Sequence, residues 1–96
     1  MRDPEFIDWL LSDLEISRKA AKDAASRCRR IERDFGIDLD QSVRSQASWD
    51  KLLDRMAGRK LRQYVFYAAR LYARFGNPKL ELRLYAYRGK NTGAER

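Results

Sequence analysis

Apolar residues recur at helical spacing along most of this chain. Phe6, Ile7, Trp9, Leu10, Leu11 and Leu14 give one broad apolar face. Ala21, Ala24, Cys28, Ile31 and Phe35 give a second, narrower seam. Trp49, Leu52, Leu53 and Met56 mark a third. Leu61, Tyr64, Val65, Ala68, Leu71, Tyr72 and Phe75 mark a fourth. Spacings of three and four predict amphipathic helices that share one core. The second seam begins with alanines, so a neighbouring helix can approach closely there. Large aromatics such as Trp9 and Tyr72 read as core residues on these faces.

Start and stop signals divide the helices. Asp3 is the predicted cap of the first, with Pro4 at its first position and an end near Asp13 or Leu14. Ser17 suits the N-cap of the second, and Gly36 suits its left-handed end. Ile16 is placed to staple against Ala21. The run from Ile37 to Ala47 predicts a loop with a short helix around 39–45, capped by Asp38 or Asp40. Ser48 is the predicted cap of a helix carried by Trp49 to Ala57 and stopped by Gly58. Arg59 to Phe75 reads as a second long helix, ending at Gly76 before Asn77-Pro78. The fold class is therefore all-α, an orthogonal bundle of four to five helices over residues 1–78, with a C-terminal extension over 79–96.

That extension changes period. Leu80, Leu82, Leu84 and Ala86 alternate with Glu81, Arg83, Tyr85 and Tyr87, which predicts a short β-strand. No other segment alternates, so the strand would lack a partner in its own chain. It could pair with a second copy to make a homodimer, or with another protein by strand addition. A helix with Leu80 and Leu84 on one face is the third solution. The final GKNTGAER reads as unstructured.

Charge sharpens the picture. The net charge is +7, unevenly spread. Residues 1–16 hold one base and five acids, a net of −4, whereas the remaining 80 hold 20 bases and nine acids, a net of +11. A basic body suggests an acidic partner, and nucleic acid is the commonest. On the second helix, Lys19, Lys22, Ser26, Arg29, Arg30 and Arg33 fall within an arc of about 100° opposite the apolar seam. Asp23 and Asp34 lie only at its edge. Two readings fit this stripe: a solvated face, or a face for phosphates. The last long helix repeats the theme with Tyr67, Arg70 and Arg74, and with Lys60, Arg62 and Phe66 at the margins. Cations beside aromatics suit a nucleic-acid surface, because Arg grips phosphate and Tyr donates or stacks. The two rows are expected to share one side of the molecule and straddle a polyanion.

Catalytic chemistry is poorly supplied. The chain has no histidine, which removes the usual general base and the commonest metal ligand. Its five glycines form no phosphate loop. The single Cys28 sits on the core seam, where it reads as a small buried apolar group. No catalytic residue, metal or cofactor is expected, and the chain reads as no enzyme. The acid-bearing start lacks the apolar run of a signal peptide, and no segment approaches the roughly 18 apolar residues of a membrane span. A cytoplasmic protein with no membrane partner is expected.

Several of these residues together resemble a known module. FIDWLL, then Ile16-Ser17 opening a basic helix, then RIERDFG, is similar to the core-binding (SAM-like) N-terminal domain of tyrosine recombinases and phage integrases. The helix YVFYAARLYARF followed by Asn77-Pro78 resembles that domain's last helix and its close. The likeness covers roughly residues 5–78. The chain departs from the pattern at Ala20 and Ala24, where the family often carries Thr and Tyr. The resemblance implies four or five helices, two of which lie against DNA. By position these are 17–35 and 59–75. The recombinase catalytic domain is missing, so the resemblance implies DNA clamping without strand cleavage. The expected function is a non-catalytic double-stranded-DNA-binding module. The alternative is a phage- or mobile-element-type interaction or inhibitor protein that uses 79–88 to hold a protein partner.

Overall fold

The computed structural model describes residues 1–82 and shows helices alone among them. In chain order they are α1 (Asp3–Asp13), α2 (Arg18–Phe35), α3 (Leu39–Ser42), α4 (Gln46–Ala57) and α5 (Gln63–Gly76). The all-α reading holds. Residues 83–96 lie outside the described residues, and with them most of the predicted strand and the whole GKNTGAER tail.

The caps of α2 form as its sequence requires. The Ser17 hydroxyl accepts from the Ala20 amide at 3.2 Å. Gly36 takes φ 62°, a left-handed geometry that costs an L residue a Cβ clash, and its amide donates to the Glu32 carbonyl. α3 is capped by Asp38, whose carboxylate accepts from the Asp40 amide at 2.9 Å.

Three predicted starts move. Asp3 is the first residue of α1 rather than its cap; Arg2 holds the cap position without a side-chain bond. The Asp3 carboxylate reaches Arg29 of α2 instead. α4 starts from Ser45, not Ser48: the Ser45 hydroxyl accepts from the Ser48 amide at 3.2 Å, which adds a turn and satisfies both serines. α5 starts at Gln63, not Arg59. A start at Arg59 would put Arg59, Lys60 and Arg62 in a first turn with no acid, against the positive end of the helix dipole. Lys60 therefore lies in the connection before α5, not on it.

One core joins the helices. The alanines of α2 let α5 come close enough for the buried Cys28 thiol to donate to the Ala68 carbonyl at 3.3 Å. Phe6 and Leu10 bury α1 against the pair. Phe6 meets Tyr72 edge-on, with ring centroids 4.9 Å apart, and Phe75 at 5.5 Å. Trp9 sits at the rim of the core against Phe75 rather than inside it. Trp49 is the large ring at the α4 side, fully buried. α5 is packed on more sides than its stripe suggested. Phe66, placed at the outer margin by the pattern, is buried together with Ala69 and Ala73. Tyr64, assigned to the core stripe, is exposed, because the late start leaves it in the first turn.

Polar contacts lock the ends. The fully buried Tyr72 ring turns its hydroxyl to accept from the Arg2 amide at 2.9 Å and to donate to Asp40. Burial and that bond to Asp40 push the phenol up to about 12. Partial burial would raise the Asp40 carboxyl, but the bonds from Tyr72 and Arg2 outweigh it and hold the group below its ordinary range. The Asn77 side-chain amide donates to the Val43 carbonyl at 2.8 Å. Beyond it, Gln46 pairs with both backbone groups of Glu81 at 2.9 Å, as a neighbouring strand would.

Two outcomes test this packing. A Cβ added at Gly76 would lie 2.8 Å from Val43 Cγ2. Gly76→Ala should therefore cost about 1–3 kcal/mol in urea unfolding, and clearly less in a Val43→Ala background; equal costs in both would contradict the close approach. Tyr72 has a raised folded pKa, so its contribution is full below its ordinary 10.0 and is lost as pH rises toward about 12. Burial also lifts the Cys28 thiol to about 12, so wild type loses stability through both groups in this range. Tyr72→Phe should lower stability at neutral pH by about 1 kcal/mol and make its alkaline decline shallower than that of wild type. Parallel declines would show that the hydroxyl is not held as described.

Candidate nucleic-acid interface

All six predicted residues of α2 are exposed. Three of them already have carboxylate neighbours. Lys19 lies 4.0 Å from Asp23 and Arg33 lies 3.8 Å from Asp34, both exposed contacts worth little. Arg29 is different: its guanidinium engages the Asp3 carboxylate, tying α2 to α1. Lys22 and Arg30 make no ion pair among the described residues. Ser26 lies on the stripe between them.

The bond from Cys28 to Ala68 marks the line where α2 faces α5. Measured round α2 from Cys28, the basic stripe lies about 100–180° away. Measured round α5 from Ala68, Tyr67, Arg70 and Arg74 also lie about 100–160° away. The two rows thus face out from opposite sides of the helix pair.

α1 separates them further. Its Asp3 touches Arg29 of one row, while the Arg74 guanidinium lies 6.0 Å from the Trp9 ring beside the other. Between these contacts α1 turns Glu5 and Asp8 to solvent. The expected straddling surface does not form, because the acidic leading segment folds into the space between its two halves.

The structure assembles a different edge. Arg30 of α2 meets Lys60 and Arg62 of the connection around a cleft of about 190 Å³, walled also by Asp34, Phe35 and Tyr64. The Arg27 guanidinium lies 4.3 Å over the Tyr64 ring at the same edge. Arg55 donates to the Phe35 carbonyl at 3.0 Å, and Arg59 lies 4.7 Å over the Phe35 ring. These two arginines suit the negative end of α2. The start of α5 is the reverse case. Arg62 occupies its N-cap with no side-chain bond, and its first turn holds no acid. Cations crowd a helix end that itself favours an anion, and Asp34 is the one acid among the residues that wall the cleft.

Of the predicted residues, then, Arg30 and Lys60 are brought together, and Lys22, Ser26, Lys19 and Arg33 continue from Arg30 along α2. Arg29 is turned toward α1. Tyr67, Arg70 and Arg74 belong to the outer strip of α5, with the Arg70 guanidinium 5.7 Å from the Tyr67 ring. The sequence reading missed Arg27 and Tyr64. Three cations before an acid-free turn were the available signal that the helix starts late and leaves Tyr64 outside.

Among the described residues no helix is long and apolar enough to cross a membrane. Neither a protein-family model, nor a curated protein, nor a solved structure matches this chain.

Proposed function

We propose that this chain is a non-catalytic DNA-binding module that grips the phosphate backbone of double-stranded DNA. The contact centres on the edge where α2 meets the connection to α5. The observation that carries the reading is the convergence of Arg30, Lys60 and Arg62 around one cleft at the uncapped start of α5, with Arg27 over the Tyr64 ring that walls it. The three cations there outnumber the one acid, Asp34, and repel each other and the helix dipole; a phosphate relieves both. Lys22, Ser26, Lys19 and Arg33 extend the surface along α2, far enough for successive phosphates. The resemblance to recombinase core-binding domains points the same way, with α2 as one of the two helices against DNA. Arg29 and Arg74 play the smaller part, because α1 stands beside them.

A second reading keeps the C-terminal extension as a handle for a protein partner or a second copy. Its support is the clamp that Gln46 places on Glu81, together with the packing of Leu80 and Leu82 on the core. These fix residues 80–82, the start of the extension, against the helical body.

Fluorescence anisotropy with random-sequence duplex at several salt concentrations tests the first reading. Arg30→Glu with Lys60→Glu should weaken binding at least about tenfold and flatten the salt dependence by about two charges. Arg74→Glu should change affinity by less than about threefold. Unchanged binding in the double variant would overturn the proposal. Asp3→Asn removes the carboxylate that holds Arg29, and should strengthen binding about twofold to threefold; a loss of affinity would mean that α1 does not screen the stripe.

A further inference from the structure

Two large apolar side chains stand out as exposed among the described residues: Tyr64 at 44% and Tyr67 at 49%. Both lie on the first half of α5, three residues apart, so their rings project from neighbouring positions on one face. Each has a guanidinium against its ring, Arg27 at 4.3 Å and Arg70 at 5.7 Å. Core packing does not require either ring. Phosphate gripping does not require them either, since the cations of the cleft supply that. Tyr64 walls the cleft and Tyr67 lies about one turn further along α5, so what the pair offers is flat π surface, edged by guanidinium planes, leading away from the cleft that holds a backbone.

That is the chemistry of base stacking. Aromatic rings and Arg planes stack on unpaired bases whatever their sequence. In an unbroken duplex the base faces are already stacked on each other, and the rings would have nothing to cover. We propose that this edge recognises unpaired bases, so that the preferred ligand is DNA with a single-stranded gap rather than a continuous duplex. The proposal rests on the DNA-binding reading above and adds the substrate class. Phosphates on the duplex side meet Arg30, Lys60 and Arg62, while bases at the gap lie on Tyr64 and Tyr67.

The test compares three ligands of one sequence by fluorescence anisotropy at fixed salt: a continuous duplex, the same duplex with a short central gap, and the single strand. The wild-type protein should bind the gapped duplex about tenfold more tightly than the continuous one. Tyr64→Ala with Tyr67→Ala should bring the two within about twofold, whatever loss the continuous duplex itself suffers from the removal of the ring that walls the cleft and carries Arg27. Tyr64→Phe with Tyr67→Phe keeps the rings and should keep the preference; its loss there would show that the hydroxyls, not the rings, make the contact, and would overturn the stacking proposal. Circular dichroism melts confirm that each variant is folded. Arg30→Glu with Lys60→Glu should weaken all three ligands and leave their ratio intact. Equal wild-type affinity for gapped and continuous duplex, or a preference that survives the alanine pair, would overturn this inference. If duplex binding still depends on Arg30 and Lys60 in that case, the DNA-binding reading stands. If no ligand binds, both fall.

Discussion

The close approach of α2 and α5 is the constraint on which the other features depend. Alanines at 21 and 24 on one helix and at 68 on the other remove the side-chain bulk that usually holds helices apart. The Cys28 thiol can then reach a backbone carbonyl across the contact. That seam fixes which face of each helix is inward, and so which cations point out. It also brings the last turns of α2 beside the connection to α5, where Arg30 and Lys60 meet. A larger residue at Ala24 or Ala68 would therefore disturb the basic edge as well as the core.

Charge is placed by the fold as much as by the sequence. The leading segment is acidic and the body basic, and the packing of α1 uses this difference. Asp3 holds Arg29, and the hydrophobic side of α1 covers Tyr72 and Phe75. Its outer side then places carboxylates between two basic rows. One flank of the molecule becomes mixed in sign, whereas the edge at the start of α5 keeps a local excess of cations. Such an excess is costly in isolation, because neither like charges nor the helix dipole welcome it. It is the kind of local conflict that a bound anion resolves.

The helices were legible in the sequence because their apolar periods are strong and α2 carries clean capping residues. Ser17 and Gly36 act as read. The boundaries at Asp3, Ser48 and Arg59 were not, because each depends on something outside local propensity. Asp3 finds a partner on another helix, Ser45 competes with Ser48 as a cap, and the cations at 59–62 delay α5. The basic stripe on α2 could be seen from periodicity alone. Its relation to α5 could not, since direction round a helix says nothing about where a third helix will lie. Phe66 and Tyr64 exchanged roles for the same reason: α5 is buried by several neighbours, and its first turn begins later than its apolar pattern does.

Amide chemical shifts followed by NMR during a titration with duplex DNA give the most direct view of the surface in use. This account places the largest changes at residues 27–34 and 59–67, with the exposed side of α1 around Glu5 and Asp8 left nearly unmoved. Changes centred on α1, or confined to the C-terminal extension, would contradict it.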